Sequence, residues 1–132
     1  LLLGNLNAKR DWGYAPEFCL GMWQMLQQNK PDDFVLATGE QHTVREFAEL
    51  SFAELGINVN WEGENEKEIG INSQTGDTIV KIDPKYYRPT EVDTLLGDAS
   101  KAKNILGWEV KTSFNDLVKI MVRADYEKLK NV

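Results

Sequence analysis

One cysteine, one histidine and four prolines occur in 132 residues. A single Cys19 excludes an internal disulfide and any multi-cysteine metal centre, and it fits a reducing, cytoplasmic compartment. His42 has no second histidine or cysteine at ligand spacing, which argues against a zinc site. No apolar run approaches the roughly 20 residues that cross a bilayer. The opening LLLGNLNAKRD has neither a basic leader nor a small-residue cleavage site, so it reads as a strand entered partway rather than a signal peptide. That apolar start creates the expectation of further chain upstream of Leu1. Positive charge is also short: 15 Lys and Arg against 21 Asp and Glu leave a net charge of −6. Nucleic acid and anionic membrane surfaces call for an excess of cations, so neither is expected as a partner. Internal repeats and low-complexity tracts are absent.

What is present suits one soluble domain. The chain is 42% hydrophobic and 27% charged, an ordinary globular balance, and it is long enough to bury a core. LLLG reads as a short strand and NLNAKRDWGY as a polar loop. Ala15, Phe18, Cys19, Met22, Trp23 and Leu26 recur at helical spacing as one apolar face, with Pro16 in the first turn. NKPDD breaks that helix, and FVLAT follows as a buried strand of β-formers. Thr43 and Glu46 form a capping box that opens a second helix, closed by Gly56. INVNWEG alternates like a half-exposed strand, while KEIGIN and DTIVKID flank the turn SQTG as a hairpin. Asp98 caps a short helix ending at Gly107. A last helix starts at Ser113 and is expected to bury Phe114, Leu117, Val118, Met121, Val122 and Leu129. The order is β-α-β-α-β-β-β-α-α. Residues 1–56 look α/β-like and 57–132 look like a small hairpin and helical lobe, not a complete doubly wound sheet.

Several constellations could carry chemistry. Lys9-Arg10-Asp11 follows the first strand, where ligands of open α/β sheets sit; a solvated charge pair is the commoner meaning of such a triplet. Arg88 precedes Pro89, which holds it extended. Its planar guanidinium suits two phosphate oxygens, and Glu91, three residues on, suits a ribose diol; an ordinary surface ion pair is again the plainer reading. Thr38-Gly39-Glu40 marks either a close backbone approach to a ligand or a turn before a capped helix. Tyr126 and Lys130 satisfy a Tyr-x-x-x-Lys spacing, but on a terminal helix with no glycine-rich loop upstream, so we assign them no catalytic role. Cys19, on an apolar helix face, reads as a small packed hydrophobe.

Taken together, LGNLNAKRDWGYAPEFCLGMWQMLQQNKPDDFVLATGEQHTVREF, YYRPTEVDTLLGDASKAKNILGW and KTSFNDLV resemble the GDP-mannose 4,6-dehydratase family of extended short-chain dehydrogenases/reductases. Each block is weak alone; their order and spacing are specific. The resemblance implies an α/β fold: the C-terminal portion of such an enzyme, with part of the Rossmann-type sheet and a small substrate-binding lobe. It implies a reaction in which NADP takes hydride from C4 of the mannose, water leaves across C5–C6 and the hydride returns to C6, giving GDP-4-keto-6-deoxymannose. The family's catalytic dyad and NADP loop lie in its N-terminal part, so this segment is expected to contain no catalytic residue and to bind no cofactor alone.

By the same resemblance, Arg10 and Arg88 would grip the GDP moiety, Glu91 a ribose hydroxyl, and Leu3, Gly4 and Asn5 would pass the guanine through backbone groups. GDP-mannose is the implied partner, and a homo-oligomer the implied state of the complete enzyme. The sequence departs from the family pattern at Tyr14 and Pro16, where a histidine and a lysine are usual, and at Phe18, Cys19 and Leu20. Another nucleotide-sugar epimerase or reductase, or a non-catalytic nucleotide-binding module, stand as alternatives.

Overall fold

The computed structural model describes residues 1–88 and 94–130. Its centre is a four-stranded mixed sheet in the order β1-β6-β5-β4. The strands are β1 (Leu2–Leu3), β4 (Val59–Glu62), β5 (Ile69–Asn72) and β6 (Thr78–Ile82). The hairpin expected from KEIGIN and DTIVKID is β5–β6, and the alternating INVNWEG segment is β4, antiparallel to β5. Gly76, at φ 76°, supplies the left-handed residue of the hairpin turn. β1 adds to β6 in parallel, with Leu2 opposite Lys81 and Leu3 opposite Ile82. The sheet therefore joins the first residues of the chain to its second half.

A second, minimal ladder pairs β2 (Lys9–Arg10) with β3 (His42–Thr43). The sequence reads both stretches as loop; two residues are too few to show an alternation. FVLAT makes no ladder among the described residues. The buried strand expected there is not found: Ala37 is buried but Val35 is exposed, and the β-formers have no described strand beside them.

Among the described residues four α-helices pack around these ladders: α1 (Ala15–Leu26), α2 (Val44–Glu54), α3 (Ser100–Leu106) and α4 (Phe114–Lys130). The α2 cap is the expected box: Glu46 N–H donates to Thr43 Oγ1 at 3.1 Å and Thr43 N–H donates to Glu46 Oε2 at 2.6 Å. At α3, Asp98 Oδ1 accepts the Ser100 amide at 2.9 Å, and Gly107 closes the helix at φ 67°. Ser113 and Asp116 bond each other reciprocally at the start of α4.

Two expected apolar faces are not buried as expected. On α1, Cys19, Met22, Trp23 and Leu26 are exposed; Cys19 is thus not a packed hydrophobe. The helix seats instead on the adjacent stripe through Glu17, Phe18 and Gly21. Gly21 allows the close approach, since a Cβ there would lie 2.7 Å from Leu36 Cδ1 and 2.9 Å from Trp108 Nε1. Glu17 seals the stripe: its carboxylate accepts the Thr112 amide at 3.1 Å and hydroxyl at 2.8 Å, and its carbonyl accepts Trp108 Nε1–H at 2.7 Å. On α4, Phe114, Leu117 and Val118 are buried, but Met121 and Leu129 are exposed. For Leu129 the reason is length: at 1.5 Å per residue α2 spans about 16 Å and α4 about 25 Å. Glu54, the last residue of α2, bonds Arg123 Nε at 2.6 Å, so the turns of α4 beyond Arg123 outrun their support.

The molecule exposes 9122 Å², against about 7,000 Å² for a compact 15 kDa monomer. Large exposed side chains on α1 and α4 account for much of that excess.

Candidate functional site

Parallel pairing of β1 with β6 gives the two strands a shared carboxyl edge, and both predicted arginine arms depart from it. After β1 the chain passes Gly4 and Asn5, turns at Leu6-Asn7, and enters β2 with Arg10. After β6 it turns at residues 83–86 and reaches Arg88. The turns are held tightly. Asp83 N–H donates to Leu3 C=O at 2.9 Å, and Tyr86 N–H to Asp83 C=O at 2.9 Å. A Cβ on Gly4 would lie 2.3 Å from the Tyr86 carbonyl oxygen. Gly4 is thus the contact point between the two arms, a backbone-on-backbone approach that any side chain would block. Asn5 Oδ1 accepts the Asn7 amide at 2.9 Å, fixing the turn that leads to Arg10.

Arg10 is half-buried, and its Nη1 donates to Lys9 C=O at 2.7 Å. Arg88 is exposed. Glu91 and Pro89, the other members of the predicted clamp, lie outside the described residues. Cavities of about 520 and 240 Å³ flank Thr38, and both are lined by residues other than the two arginines.

The segment after Arg10 is stapled to residues 38–43. Asp11 accepts the Thr38 amide on both oxygens at 3.0 Å and the Gly39 amide at 3.1 Å. Trp12 Nε1–H donates to His42 C=O at 3.0 Å, and its ring meets Phe47 at 4.7 Å. Thr38 and Gly39 therefore serve as anchor points for the Arg10 loop. Gly39 has φ 79°, and that left-handed turn suits glycine. His42 stacks on Phe114 with centroids 3.8 Å apart and rings 2° from parallel. Tyr126 is exposed beside Leu129 at an apolar groove between α2 and α4.

Two participants escape sequence reasoning. Arg45 sits inside the capping box and Glu68 inside the KEIGIN segment read as a hairpin strand; the sequence gives neither a partner. In the fold Glu68 is buried, and both its oxygens accept from the Arg45 guanidinium, Oε2 at 3.0 Å from Nη2. The signal available in sequence was phase: Glu68, one residue before β5, is in step with the buried Gly70, an odd place for an unpaired carboxylate.

Two carboxyls at α3 are held below their usual value of 3.8. At Asp32 the main cause is the hydrogen bond from the Lys101 ammonium at 2.7 Å, with the Asp33 amide second; at Asp98 it is the Ser100 hydroxyl, then its amide. Both groups are exposed; Asp32 ties the segment after α1 to Lys101 in α3, and Asp98 lies just before α3.

Solved structures share this arrangement. UDP-glucose 4-epimerase of Thermotoga maritima, determined with UDP-glucose, aligns with 96% of this chain and 34% of its own, at TM-score 0.71 and 22% identity. dTDP-glucose 4,6-dehydratase of Bacillus anthracis, determined with NAD, aligns with 99% of this chain and 35% of its own, at TM-score 0.71 and 19% identity. The fold is that of the extended short-chain dehydrogenases/reductases, over about a third of their length.

Sequence narrows the class. A profile described as GDP-mannose 4,6 dehydratase matches residues 1–121. The GDP-mannose 4,6 dehydratase of Dictyostelium discoideum is 61% identical over 99% of this chain and 37% of its own length. The human protein of that name is 54% identical over 97% of this chain and 34% of its own. The chain belongs to the GDP-mannose 4,6-dehydratase family, and it spans about a third of the length of these relatives.

Proposed function

We propose that this chain is the substrate-holding part of an NADP-dependent GDP-mannose 4,6-dehydratase, a lyase forming GDP-4-keto-6-deoxymannose. The observation that carries this reading is the shared carboxyl edge of β1 and β6, from which Arg10 and Arg88 both depart. Ligands of open α/β sheets collect at that edge. Two guanidinium groups match a diphosphate, each able to donate two hydrogen bonds in one plane. Glu91 serves the adjoining ribose, and the backbone at Leu3, Gly4 and Asn5 lies beside the guanine. The staple through Asp11 and Trp12 fixes the Arg10 loop before substrate arrives, which reduces the ordering cost of binding.

NADP supplies the hydride acceptor and donor of this reaction when bound. The ten glycines of this chain include no G-x-G-x-x-G run, so its residues do not fit a dinucleotide phosphate loop, and on this reading the cofactor and catalytic side chains are contributed elsewhere in the enzyme. Residues 1–56 complete the α/β core and 57–132 form the substrate lobe. The setting is cytoplasmic and the complete enzyme a homo-oligomer.

Calorimetric titration of the full-length enzyme with GDP-mannose tests the reading. Arg88→Ala and Arg10→Ala each weaken binding by about 1.5–3 kcal/mol, the scale of a charge-assisted hydrogen bond. Unchanged affinity in both variants would remove the diphosphate clamp.

A further inference from the structure

Among the described residues, the Arg45 side chain bonds to the first limb of the proposed clamp and to the hairpin that carries the second. Its Nη2 donates to Asn7 Oδ1 at 2.8 Å, three residues before Arg10. Its guanidinium also grips Glu68 through both oxygens. Glu68 leads directly into β5, and β5 is hydrogen-bonded to β6, the strand that delivers Arg88. The backbone at the same point reinforces the first limb: Arg45 N–H donates to Leu6 C=O at 3.0 Å and Val44 N–H to Ala8 C=O at 3.2 Å. On its open side the guanidinium lies 5.0 Å from the centre of the Trp61 ring. Trp61 is fixed in turn by donating Nε1–H to Glu49 Oε1 at 2.6 Å. Gly70 leaves room for that ring, since a Cβ there would meet Trp61 Cζ3 at 2.9 Å.

We infer that Arg45 is a positioning residue that sets the separation of the two arginine arms, so that both reach one diphosphate. Stability alone does not account for it, because a buried ion pair gains little over an apolar pair of the same size. What the fork adds is direction. Two parallel bonds to Glu68 fix the guanidinium plane, and the second N–H of Nη2 is then aimed at Asn7. A shift of the hairpin is transmitted to the Arg10 turn through one rigid planar group. This inference rests on the substrate-holding reading above.

The test is steady-state kinetics of the full-length enzyme with GDP-mannose. Arg45→Lys keeps the charge and loses the fork. It raises KM about 3- to 30-fold and leaves kcat within about twofold, since no reacting atom is touched. Asn7→Ala cuts only the link to the first limb, at an exposed side chain, and raises KM in the same direction. It remains informative if Arg45→Lys does not fold. In the double variant Arg10→Ala/Arg45→Lys the losses are less than multiplicative, because Arg45 acts through Arg10.

Wild-type KM in Arg45→Lys and Asn7→Ala, or losses that multiply with Arg10→Ala, overturn the inference. A fall in kcat at constant KM does so too, since that is the signature of a merely structural loss of active enzyme. If Arg10→Ala and Arg88→Ala themselves leave KM unchanged, the substrate-holding reading falls first. If they raise it and Arg45→Lys does not, only the positioning role falls.

Discussion

The Asp11 carboxylate receives the backbone amide of Thr38 on both of its oxygens, each at 3.0 Å. An acidic side chain directly after Arg10 is thus spent on backbone 27 residues away. A charged acceptor for two amides is worth more than a neutral one. It orders the turn at Gly39 and the loop carrying Arg10 in a single contact.

Asp11→Asn is the corresponding test. The amide side chain keeps one acceptor oxygen and turns a donor toward the facing N–H groups. We expect a loss of about 1.5–3 kcal/mol, seen locally as faster hydrogen exchange at Thr38 and Gly39, with weaker GDP-mannose binding in the full-length enzyme. Unaltered exchange at those two amides would show that the staple does not form in solution.

Gly4→Ala probes the contact between the arms. The added methyl meets a backbone oxygen at 2.3 Å, not the end of a flexible side chain, so the turn at residues 83–86 must move. Overpacking of this kind costs about 1–3 kcal/mol, and here it also displaces the segment entering Arg88. Chemical denaturation should report the stability loss, and calorimetry a matching fall in affinity. A variant with native stability and affinity would mean that the two arms do not touch.

Gly21→Ala sets two effects against each other. Alanine favours a helix interior by about 1 kcal/mol over glycine. Against this, its Cβ would sit 2.9 Å from the indole nitrogen of Trp108, which is 2% exposed and already bonded to Glu17 C=O. Leu36 can rotate away; the indole has nowhere to go. The expected net is destabilisation by about 1 kcal/mol, read from denaturation midpoints. Net stabilisation would place α1 farther from Trp108 than found here.

Acid should loosen α3 before the rest of the fold. Asp32 and Asp98 are depressed in the folded state, so each contributes stability that is present above 3.8 and is lost as pH falls through its lowered folded value. Nuclear magnetic resonance of α3 amides during an acid titration checks this. Salt separates the two anchors: it weakens Asp32–Lys101, an exposed ion pair, and spares Asp98–Ser100, which has no cation. A helix whose amides ignore acid below 3.8 would contradict both assignments.

Local order decides how much of this was legible in the chain. The capping box at Thr43–Glu46, the turn between β5 and β6, the Asp98 cap and the Gly107 stop are short-range bargains between neighbouring residues, and all four were readable. Arg10 and Arg88 were singled out on equally local grounds, as a residue type at a strand end or beside a proline. The apolar stripe of α1 was misjudged because periodicity marks which face is greasy, not which face finds a partner. Gly21 and Glu17 decide that, through Trp108 and Thr112, residues about 90 positions away.

What Leu1–Val132 determined by itself was therefore its helices, the β4–β5–β6 strands, the capping box and its family. Tertiary structure alone decided that β1 lies parallel to β6, that Asp11 reaches Thr38, and that Arg45 joins Asn7 to Glu68. Each of these is a bond between residues far apart in sequence, whose partners become neighbours only after loop-closure entropy has been overcome by the packing of the whole sheet.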